Sequence, residues 1–194
     1  MIRLIRRLLR ERRGTSLTEF GLLAPVMIAL WMGLGDILYQ AYLQSVLNGA
    51  VQKAGRDSGI EGAPTSTLDT RVQTAVRQLS QTATFVSTRR NYDTFTEVAP
   101  EPFVDTNGNG VRNPGECFTD QNINGTWDAD PGAAGQGGAG AVTLYTMTVT
   151  YPRLFPVWGF FPGATTTQSI SASTLLKNQP YATQSTTTAV TVCT

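Results

Sequence analysis

The sequence predicts an α+β chain in which a long apolar N-terminal helix precedes a small exported domain with an amphipathic helix and antiparallel strands. An apolar run of 19 residues follows a basic N-terminus, and apolar residues at spacings of three and four come after that run. In the last third of the chain, apolar residues alternate with threonines, which indicates β-strands. Helices that come before antiparallel strands are typical of α+β domains.

The charge of the chain is concentrated in two regions of opposite sign. Residues 1–14 contain six arginines and one acid, a net charge of +5, whereas the remaining 180 residues contain nine basic and 13 acidic side chains, a net charge of −4. Histidine is absent, which excludes histidine-based catalytic triads and histidine-ligated zinc or haem. The mildly acidic remainder predicts no nucleic-acid partner, because surfaces that bind nucleic acid are basic.

The apolar run from Phe20 to Leu38 has the length of a membrane-spanning helix. Its single charged residue is Asp36, and about 20 apolar residues cross the ~30 Å hydrocarbon layer of a bilayer. The arginines before the run predict a cytoplasmic N-terminus and an exported remainder. A buried core helix is the alternative. Good helix formers continue after the run, so we expect the helix to extend to about Arg56 and to stop near Gly59.

A processing motif lies where the basic segment meets the apolar run. Gly14 ends the basic segment, and Glu19 and Phe20 stand at the fifth and sixth positions after it. This is the pattern of a prepilin peptidase site, where cleavage would free the amine of Thr15. An acid that faces lipid costs a few kcal/mol, so the amine of one subunit and Glu19 of its neighbour would neutralise each other. The alternative is that Glu19 is an interfacial acid whose carboxylate reaches water.

Residues 14–57 resemble the TadE-like minor pseudopilins of the tight-adherence (Flp-type, type IVc) pilus system. The resemblance rests on the glycine, the Glu-Phe pair, a Leu-x-x-Pro motif that ends at Pro25, and the acid Asp36 near the end of the span. It implies that residues 1–14 are a leader and that residues 15–57 form the transmembrane and assembly helix. It also implies three kinds of partner: a prepilin peptidase, other pilin and pseudopilin subunits, and the inner-membrane assembly platform. The assembly residues would be Glu19, Phe20, Pro25 and Asp36.

The exported domain, residues 58–194, begins with a turn-rich linker and a second helix. Apolar residues at spacings of three and four predict an amphipathic helix from Leu68 to Val86. Ser66 or Thr67 is the expected N-cap, because a hydroxyl there satisfies a free N–H of the first turn. We expect the apolar stripe of this helix to face the core.

Several strands are predicted in the same domain, over 141–154, 165–179 and 186–193, with a further one over Phe95–Val98. The alternation in the first of them slips once between Leu144 and Met147, which predicts a bulge or a change of face. The aromatic and proline-rich segment 155–163 is expected to pack, and an exposed patch for a partner helix is the alternative.

An insertion over 101–140 carries two tandem segments with the oxygen spacing of calcium loops. The first matches the EF-hand pattern D-x-[DN]-x-[DN]-G-x5-E, in which oxygens at alternate positions and a final bidentate carboxylate surround the ion. The second, 15 residues later, lacks the final acid because Pro131 stands there, so Asp128 or Asp130 would have to close the shell. The predicted ligands are Asp105, Asn107, Asn109, Val111 (through its carbonyl), Glu116, Asp120, Asn122, Asn124, Thr126, Asp128 and Asp130.

Calcium is therefore the expected cofactor, as one or two ions. Helix formers do not precede either loop, so these would be calcium loops without EF-hand helices. Each loop carries few formal charges, so the expected dissociation constant is about 0.1–1 mM. The alternative is that these Asn-Gly and Asp-rich segments are ordinary turns.

The two cysteines of the chain are Cys117, between the loops, and Cys193, near the C-terminus. In an exported chain two cysteines most simply form one disulfide, which would tie the calcium segment to the last strand. Two free thiols are the alternative.

These observations predict a structural protein and not an enzyme. The leading hypothesis is a minor pilin or pseudopilin that enters the inner membrane, loses its leader, and takes part in the assembly or the tip of a tight-adherence pilus. Its exported domain would be periplasmic, and extracellular after assembly. The alternative is a single-pass, membrane-anchored, calcium-stabilised adhesion domain that is not assembled into a pilus. An exported hydrolase is disfavoured, because no pair of acids suited to catalysis stands outside the loops.

Overall fold

The computed structural model describes residues 15–58, 64–155, 163–180 and 188–193. The predicted α+β class is confirmed. The helices of these residues are α1 (Thr15–Ser58) and α2 (Thr65–Arg77), with a short 3-10 helix over Phe95–Glu97. The strands are β1 (Thr84–Tyr92), β2 (Cys117–Asp120), β3 (Ala133–Ala134), β4 (Val142–Pro152), β5 (Thr167–Lys177) and β6 (Val190–Cys193).

Helix α1 is 44 residues long and continues through Pro25. Its first half exposes apolar side chains, such as Trp31, which is 65% exposed. Within the described residues, one helix segment, Leu17–Ser58, is long and apolar enough to cross a membrane. By length and composition it is therefore a candidate membrane anchor. The last residue of the helix agrees with the predicted stop near Gly59.

The chain divides into two compact units. One comprises the described part of Met1–Tyr42 together with Pro152–Gln168, and the other comprises the described parts of Leu43–Tyr151 and Ser169–Thr194. The second half of α1 is a core helix of the second unit. Residues four apart lie on one face of a helix, and on this face stand three fully buried side chains, Leu43, Leu47 and Val51. A fragment that began after α1 would lack this part of the core.

Helix α2 is shorter than the sequence predicts. It spans Thr65–Arg77, and Pro64 takes the N-cap in place of the predicted Ser66 or Thr67. The predicted last part, up to Val86, is instead a turn followed by the first residues of β1. Threonine, phenylalanine and valine at the start of that strand favour extended backbone, although their spacing also fits a helix. The core face of α2 is confirmed by three buried side chains, Leu68, Val72 and Val76.

The larger sheet has the strand order β3-β1-β4-β5. β1 and β4 are antiparallel and keep one register over nine consecutive pairs. The bulge or change of face predicted in β4 is therefore wrong over this ladder. The sequence pattern slips because Tyr145, and not Leu144, continues the buried alternation. The buried side chains of this alternation are Thr143, Tyr145, Met147, Val149 and Tyr151.

The smaller sheet pairs β2 with β6 in antiparallel orientation. Cys117 stands opposite Cys193 in this pairing, and the two form the predicted disulfide, with an S–S distance of 2.04 Å. The strand predicted over 186–193 is thus present as β6, while residues 181–187 lie outside the described residues.

Two other predictions concern loops. The strand predicted over Phe95–Val98 is wrong, because Phe95–Glu97 is a 3-10 helix. Thr94 and Glu97 form a capping box there, which satisfies the free N–H groups of the first turn and stabilises a helical start. Residues 156–162 of the aromatic segment lie outside the described residues.

Candidate functional site

The predicted processing and assembly residues lie at the start of helix α1. Gly14 lies outside the described residues, and Thr15 is the first residue of the helix. Glu19, Phe20 and Pro25 follow on its exposed part, and the Phe20 side chain is 64% exposed. Proline has no backbone N–H and so removes one bond from the helical ladder, yet α1 continues through it.

Asp36 differs from these residues because it is only 4% exposed. Its Oδ2 accepts a hydrogen bond from Nη1 of Arg153 at 3.0 Å, and its Oδ1 accepts one from the backbone N–H of Leu154 at 3.0 Å. Arg153 also donates from Nε to the carbonyl oxygen of Thr165 at 3.0 Å. Charge-assisted bonds of this kind are among the strong ones. Asp36 is therefore engaged within its own chain, and it holds the residues that follow β4 against α1.

The segment 101–140, where the sequence predicts calcium loops, contains an internal repeat of 15 residues. Glu101–Asn113 and Glu116–Asp128 both follow the pattern E-x-F-x-D-x-N-x-N-G, and each ends three positions later in a residue with a side-chain oxygen. We call residues 105–113 the first loop and residues 120–128 the second loop. The sequence prediction begins each loop at its aspartate. It includes Glu116 as the last ligand of the first loop, but it does not include Glu101, which stands four residues before Asp105.

In the first loop the carboxylate of Asp105 organises the backbone. Its Oδ2 accepts the N–H of Gly110 at 2.7 Å, and its Oδ1 accepts the N–H groups of Gly108 and Asn109 at 2.8 and 3.2 Å. Oδ1 of Asn107 accepts the N–H of Asn109 at 3.0 Å. The N–H of Gly110 and its neighbours stabilise the charged form, so the pKa of Asp105 lies below its ordinary value.

The second loop repeats these contacts at matching distances. Oδ2 of Asp120 accepts the N–H of Gly125 at 2.7 Å, and its Oδ1 accepts the N–H of Asn124 at 3.3 Å. Oδ1 of Asn122 accepts the N–H of Asn124 at 3.2 Å. Ile123 stands where the first loop has a glycine, and it has a φ of 57°, the one positive φ of a non-glycine residue in the described chain. Because a branched residue seldom adopts this conformation, the loop contacts must impose it.

The seventh residues of the loops, Val111 and Thr126, occupy equivalent places. The N–H of Val111 donates to Oδ1 of Asn109 at 2.8 Å, and the N–H of Thr126 donates to Oδ1 of Asn124 at 2.7 Å. The carbonyl oxygen of Val111 accepts Nδ2 of Asn113 at 2.7 Å. The carbonyl predicted as a ligand therefore lies among the other polar groups of its loop.

Glu116 closes the first loop, at the place where the pattern expects the last ligand. Its Oε1 accepts the N–H of Thr106 at 2.9 Å, and its Oε2 accepts the N–H of Asn113 at 2.8 Å. These two N–H groups belong to the second and ninth residues of the loop. The carboxylate therefore spans the loop from its beginning to its end.

Glu101 closes the second loop in the same way, although it precedes both loops in the chain. Its Oε1 accepts the N–H of Gln121 at 2.7 Å, and its Oε2 accepts the N–H of Asp128 at 2.9 Å. These N–H groups again belong to the second and ninth residues of the loop. Each repeat thus supplies the glutamate that closes the loop of the other repeat. The signal that would have found Glu101 is the 15-residue repeat itself.

Short contacts hold the two repeats side by side. Phe103 and Phe118, which match each other in the repeat, form an antiparallel β-bridge. The eighth residue of each loop covers the phenylalanine of the opposite repeat. Trp127 meets the Phe103 ring edge-on at 6.1 Å between centroids, and the Arg112 guanidinium lies 5.1 Å from the centroid of Phe118. The repeats therefore form a reciprocal pair.

Three carboxylates of this pair are buried: Glu101 is 1% exposed, Asp120 2% and Glu116 5%. The ion pairs formed within the described residues include none of the three. A carboxylate taken out of water needs hydrogen bonds and a compensating positive charge. Each carboxylate oxygen has two acceptor sites, so an oxygen that accepts one N–H retains one for a cation.

The structure separates the last two predicted ligands. Asp130 forms an ion pair with Arg90 at 3.1 Å and accepts the hydroxyl of Tyr92 at 2.8 Å, so it is engaged on β1. Burial, and then the hydrogen bond to Asp130, raises the pKa of Tyr92 to about 12. Asp128 stays in its loop, where its Oδ2 accepts Nδ2 of Asn122 at 2.8 Å. The other predicted ligands lie in the loops or close them.

The donor set of the two loops suits a hard cation. No three acidic or cysteine side chains in the described residues lie close enough together to hold a metal. A cation here would therefore depend on amide and carbonyl oxygens in addition to the carboxylates, and such neutral oxygens are ligands that calcium accepts.

The N-terminal segment is similar to a known family. Residues 14–56 match the family model described as "TadE-like protein", which confirms the resemblance found in the sequence. Neither the curated proteins nor the solved structures give a significant match. The match covers most of α1, whereas the paired loops and the sheets lie outside it.

Proposed function

We propose that this chain, TadE-like over residues 14–56, is a minor pilin or pseudopilin of a tight-adherence pilus. The observation that carries the proposal is the extent of the match. It begins at Gly14, includes Glu19 and Phe20, and covers a helix whose first half exposes apolar side chains. The TadE-like family is pilus-associated, and such a helix suits both a membrane and a bundle of pilin helices.

In this proposal a prepilin peptidase removes residues 1–14 and frees the amine of Thr15. Glu19 stands one helical turn further, where its exposed carboxylate is able to pair with the amine of a neighbouring subunit. Such a pair stabilises assembly because each charge alone is unfavourable in apolar surroundings. The exposed apolar side chains of α1 would be covered by lipid before assembly and by other pilin helices afterwards.

The proposed topology is a single pass through the bacterial inner membrane. The arginine-rich leader stays in the cytoplasm, because positively charged flanks are retained on that side. The exported domain then lies in the periplasm, and outside the cell after assembly. The proposed partners are the prepilin peptidase, other pilin and pseudopilin subunits, and the inner-membrane assembly platform. We propose no enzymatic activity and no nucleic-acid partner.

Calcium is the proposed stabilising ligand of the exported domain, as one or two ions in the paired loops. The support is the matching oxygen positions of the loops and the buried carboxylates Glu101, Glu116 and Asp120. Weak affinity is expected, with a dissociation constant of about 0.1–1 mM, as is typical of extracellular modules.

Intact mass of the membrane-expressed chain tests the processing step. Co-expression with the prepilin peptidase should yield a chain that begins at Thr15, and expression without the peptidase should yield the full chain. Gly14→Leu is the matched control, because it should block cleavage and leave the membrane helix unchanged. A full-length chain in the presence of active peptidase would contradict the proposal.

One observation favours the alternative of a membrane-anchored domain that is not assembled. Asp36 is paired with Arg153 in its own chain, so the span needs no second subunit to satisfy this acid. Co-purification with pilus fibres sheared from cells separates the two functions. Recovery in the fibres supports assembly, and retention in the membrane alone supports the alternative.

A further inference from the structure

We propose that Glu101 is the closing carboxylate ligand of a divalent cation in the second loop, so that each repeat completes the cation site of the other. This inference rests on the calcium part of the proposed function. The EF-hand pattern takes its ligands from one continuous stretch that begins at the aspartate, so it does not include Glu101. With Glu101 as a ligand, each of the two tandem sites depends on a residue of the other repeat.

The two repeats share one specific set of residues. Glutamate, phenylalanine, aspartate, two asparagines and a glycine recur at the same places in both copies. Between them the residues differ freely, with Thr106 against Gln121 and Arg112 against Trp127 as examples. The shared residues are the turn glycine, the phenylalanine of the bridge, and side chains that carry oxygen. The shared oxygens accept N–H groups of their own loops, and an oxygen with one such bond keeps an acceptor site for a cation.

The two glutamates occupy equivalent places relative to the loops that they close. Glu116 stands at the twelfth position of the first loop, where an EF-hand loop has its bidentate ligand. It spans the second and ninth N–H groups of that loop at 2.9 and 2.8 Å. Glu101 spans the same two N–H groups of the second loop at 2.7 and 2.9 Å. If Glu116 closes a cation site, Glu101 stands at the same place relative to Asp120.

The charges of Glu101 and Asp120 lack a compensating partner within the described residues. The two residues are 1% and 2% exposed, and neither takes part in an ion pair formed there. Buried carboxylates need a compensating positive charge, which a bound cation would supply. Pro131 occupies the twelfth position of the second loop, and Asp130 beside it is bound to Arg90. The chain after the second loop therefore supplies no closing carboxylate, and Glu101 stands at the position of the closing ligand.

Terbium luminescence tests the inference, because Tb³⁺ replaces calcium at oxygen sites and emits when a nearby tryptophan is excited. Trp127 is the eighth residue of the second loop, so its excitation reports on that loop. The full chain is used in detergent with its disulfide intact, and Tb³⁺ is titrated and then displaced with calcium. Trp127→Phe is the control that identifies the signal, since it should abolish most of the sensitised emission.

Glu101→Gln keeps the size of the side chain but removes its charge and weakens its bidentate binding. We expect the Tb³⁺ concentration at half-saturation of the Trp127-sensitised signal to rise by about tenfold or more, because loop affinity depends on ligand charge. Glu116→Gln is the matched variant at the first loop, and it should shift this curve less than Glu101→Gln does. An unchanged curve for Glu101→Gln in a chain that binds Tb³⁺ would overturn the inference.

Melting temperature separates a ligand from a group that only accepts backbone hydrogen bonds. Glu101→Gln should lower the rise in melting temperature that calcium causes, at about 5 mM calcium, above the expected dissociation constant of about 0.1–1 mM. A purely structural role would lower the melting temperature equally with and without calcium, and that result contradicts the inference. If Glu101→Gln does not fold, Glu101→Asp takes its place in the same two measurements. It keeps the charge but withdraws the carboxylate by one methylene, so it should also raise the half-saturation concentration and lower the calcium-dependent rise in melting temperature.

The outcomes also distinguish this inference from the calcium proposal beneath it. If the wild-type chain shows neither sensitised emission nor a calcium-dependent melting shift, the calcium proposal fails. If the wild type binds and Glu101→Gln binds equally well, calcium stands and the role of Glu101 fails.

Discussion

Arg89 and Asp69 form a bidentate ion pair that joins β1 to α2. Nη2 of Arg89 lies 2.6 Å from Oδ1 of Asp69, and Nη1 lies 3.1 Å from Oδ2. Tyr145 of β4 donates its hydroxyl to the same carboxylate at 2.7 Å, and the guanidinium lies 4.3 Å from the centroid of its ring. One carboxylate therefore connects a helix with two strands of the larger sheet.

Asp69→Asn should destabilise the second unit by about 3 kcal/mol, because it leaves a largely buried guanidinium without its counter-charge. Chemical denaturation of the full chain in detergent, followed by tryptophan fluorescence, measures this loss. Asp57→Asn is the control. Its partner Arg71 is 63% exposed, so the loss there should stay below about 1 kcal/mol. Equal losses in the two variants would contradict the importance of the buried pair.

The same carboxylate predicts a pH dependence. Burial, the largest single influence, raises the pKa of Asp69, but hydrogen bonds from Arg89, Tyr145 and Ser87 together bring it below its ordinary value. A lowered folded-state pKa means that this stabilisation is complete above the unfolded pKa of about 3.9 and is lost as the pH falls through the folded value. The melting temperature should therefore fall below about pH 4, and less steeply in Asp69→Asn than in the wild type. Identical pH profiles for the two proteins would refute this assignment.

Arg153→Ala should loosen the segment after β4. The substitution takes the guanidinium away from buried Asp36, which weakens the acceptor of the Leu154 N–H. Hydrogen exchange of the Leu154 amide, measured by mass spectrometry of the full chain in detergent, should then be about tenfold faster or more, since local opening sets this rate. Arg71→Ala, which breaks an exposed pair of the second unit, is the control and should leave this amide unchanged. Unchanged protection in Arg153→Ala would show that the backbone holds the segment without the ion pair.

Glu19→Ala should be processed normally but fail to assemble. The substitution removes the carboxylate proposed to neutralise the amine of a neighbouring subunit, while Gly14 and Thr15 remain for the peptidase. Intact mass reports cleavage, and the amount of the chain in sheared fibres reports assembly. Asp57→Asn, which changes a half-buried acid of the second unit, is the control and should assemble. Wild-type levels of Glu19→Ala in the fibres would rule out this role.

The helices and strands were predictable where one local pattern dominates. The apolar stripe of α2 identified Leu68 and Val72 as core residues, and the alternation over 141–154 identified the strand that the structure has as Val142–Pro152. The start of β1 was not predictable, because Leu79 and Ala83 continue the helical spacing up to the first residues of the strand. Only its pairing with β4 decides that this stretch is extended, and such pairing depends on contacts distant in sequence.

The candidate site was predictable only as far as its chemistry is local. The loops that begin at Asp105 and Asp120 were predictable, because the asparagines and the glycine of each loop follow its aspartate within a few residues. Glu101 was missed because a loop pattern looks for its last ligand downstream, whereas the β-bridge between the repeats brings an upstream glutamate to that place. The partner of Asp36 was missed for a similar reason, since Arg153 lies 117 residues away.

The disulfide between Cys117 and Cys193 alters the response of the second unit to pulling. It joins residues 76 positions apart, so roughly 260 Å of extended chain, at about 3.4 Å per residue, is withdrawn from the length that tension is able to draw out. β4 and β5 lie inside this closed segment. A load that enters through α1 and leaves near residue 193 passes across the sulfur atoms instead of along the backbone of these two strands. In a fibre that is stretched, this part of the subunit would keep its shape after the remainder had begun to yield.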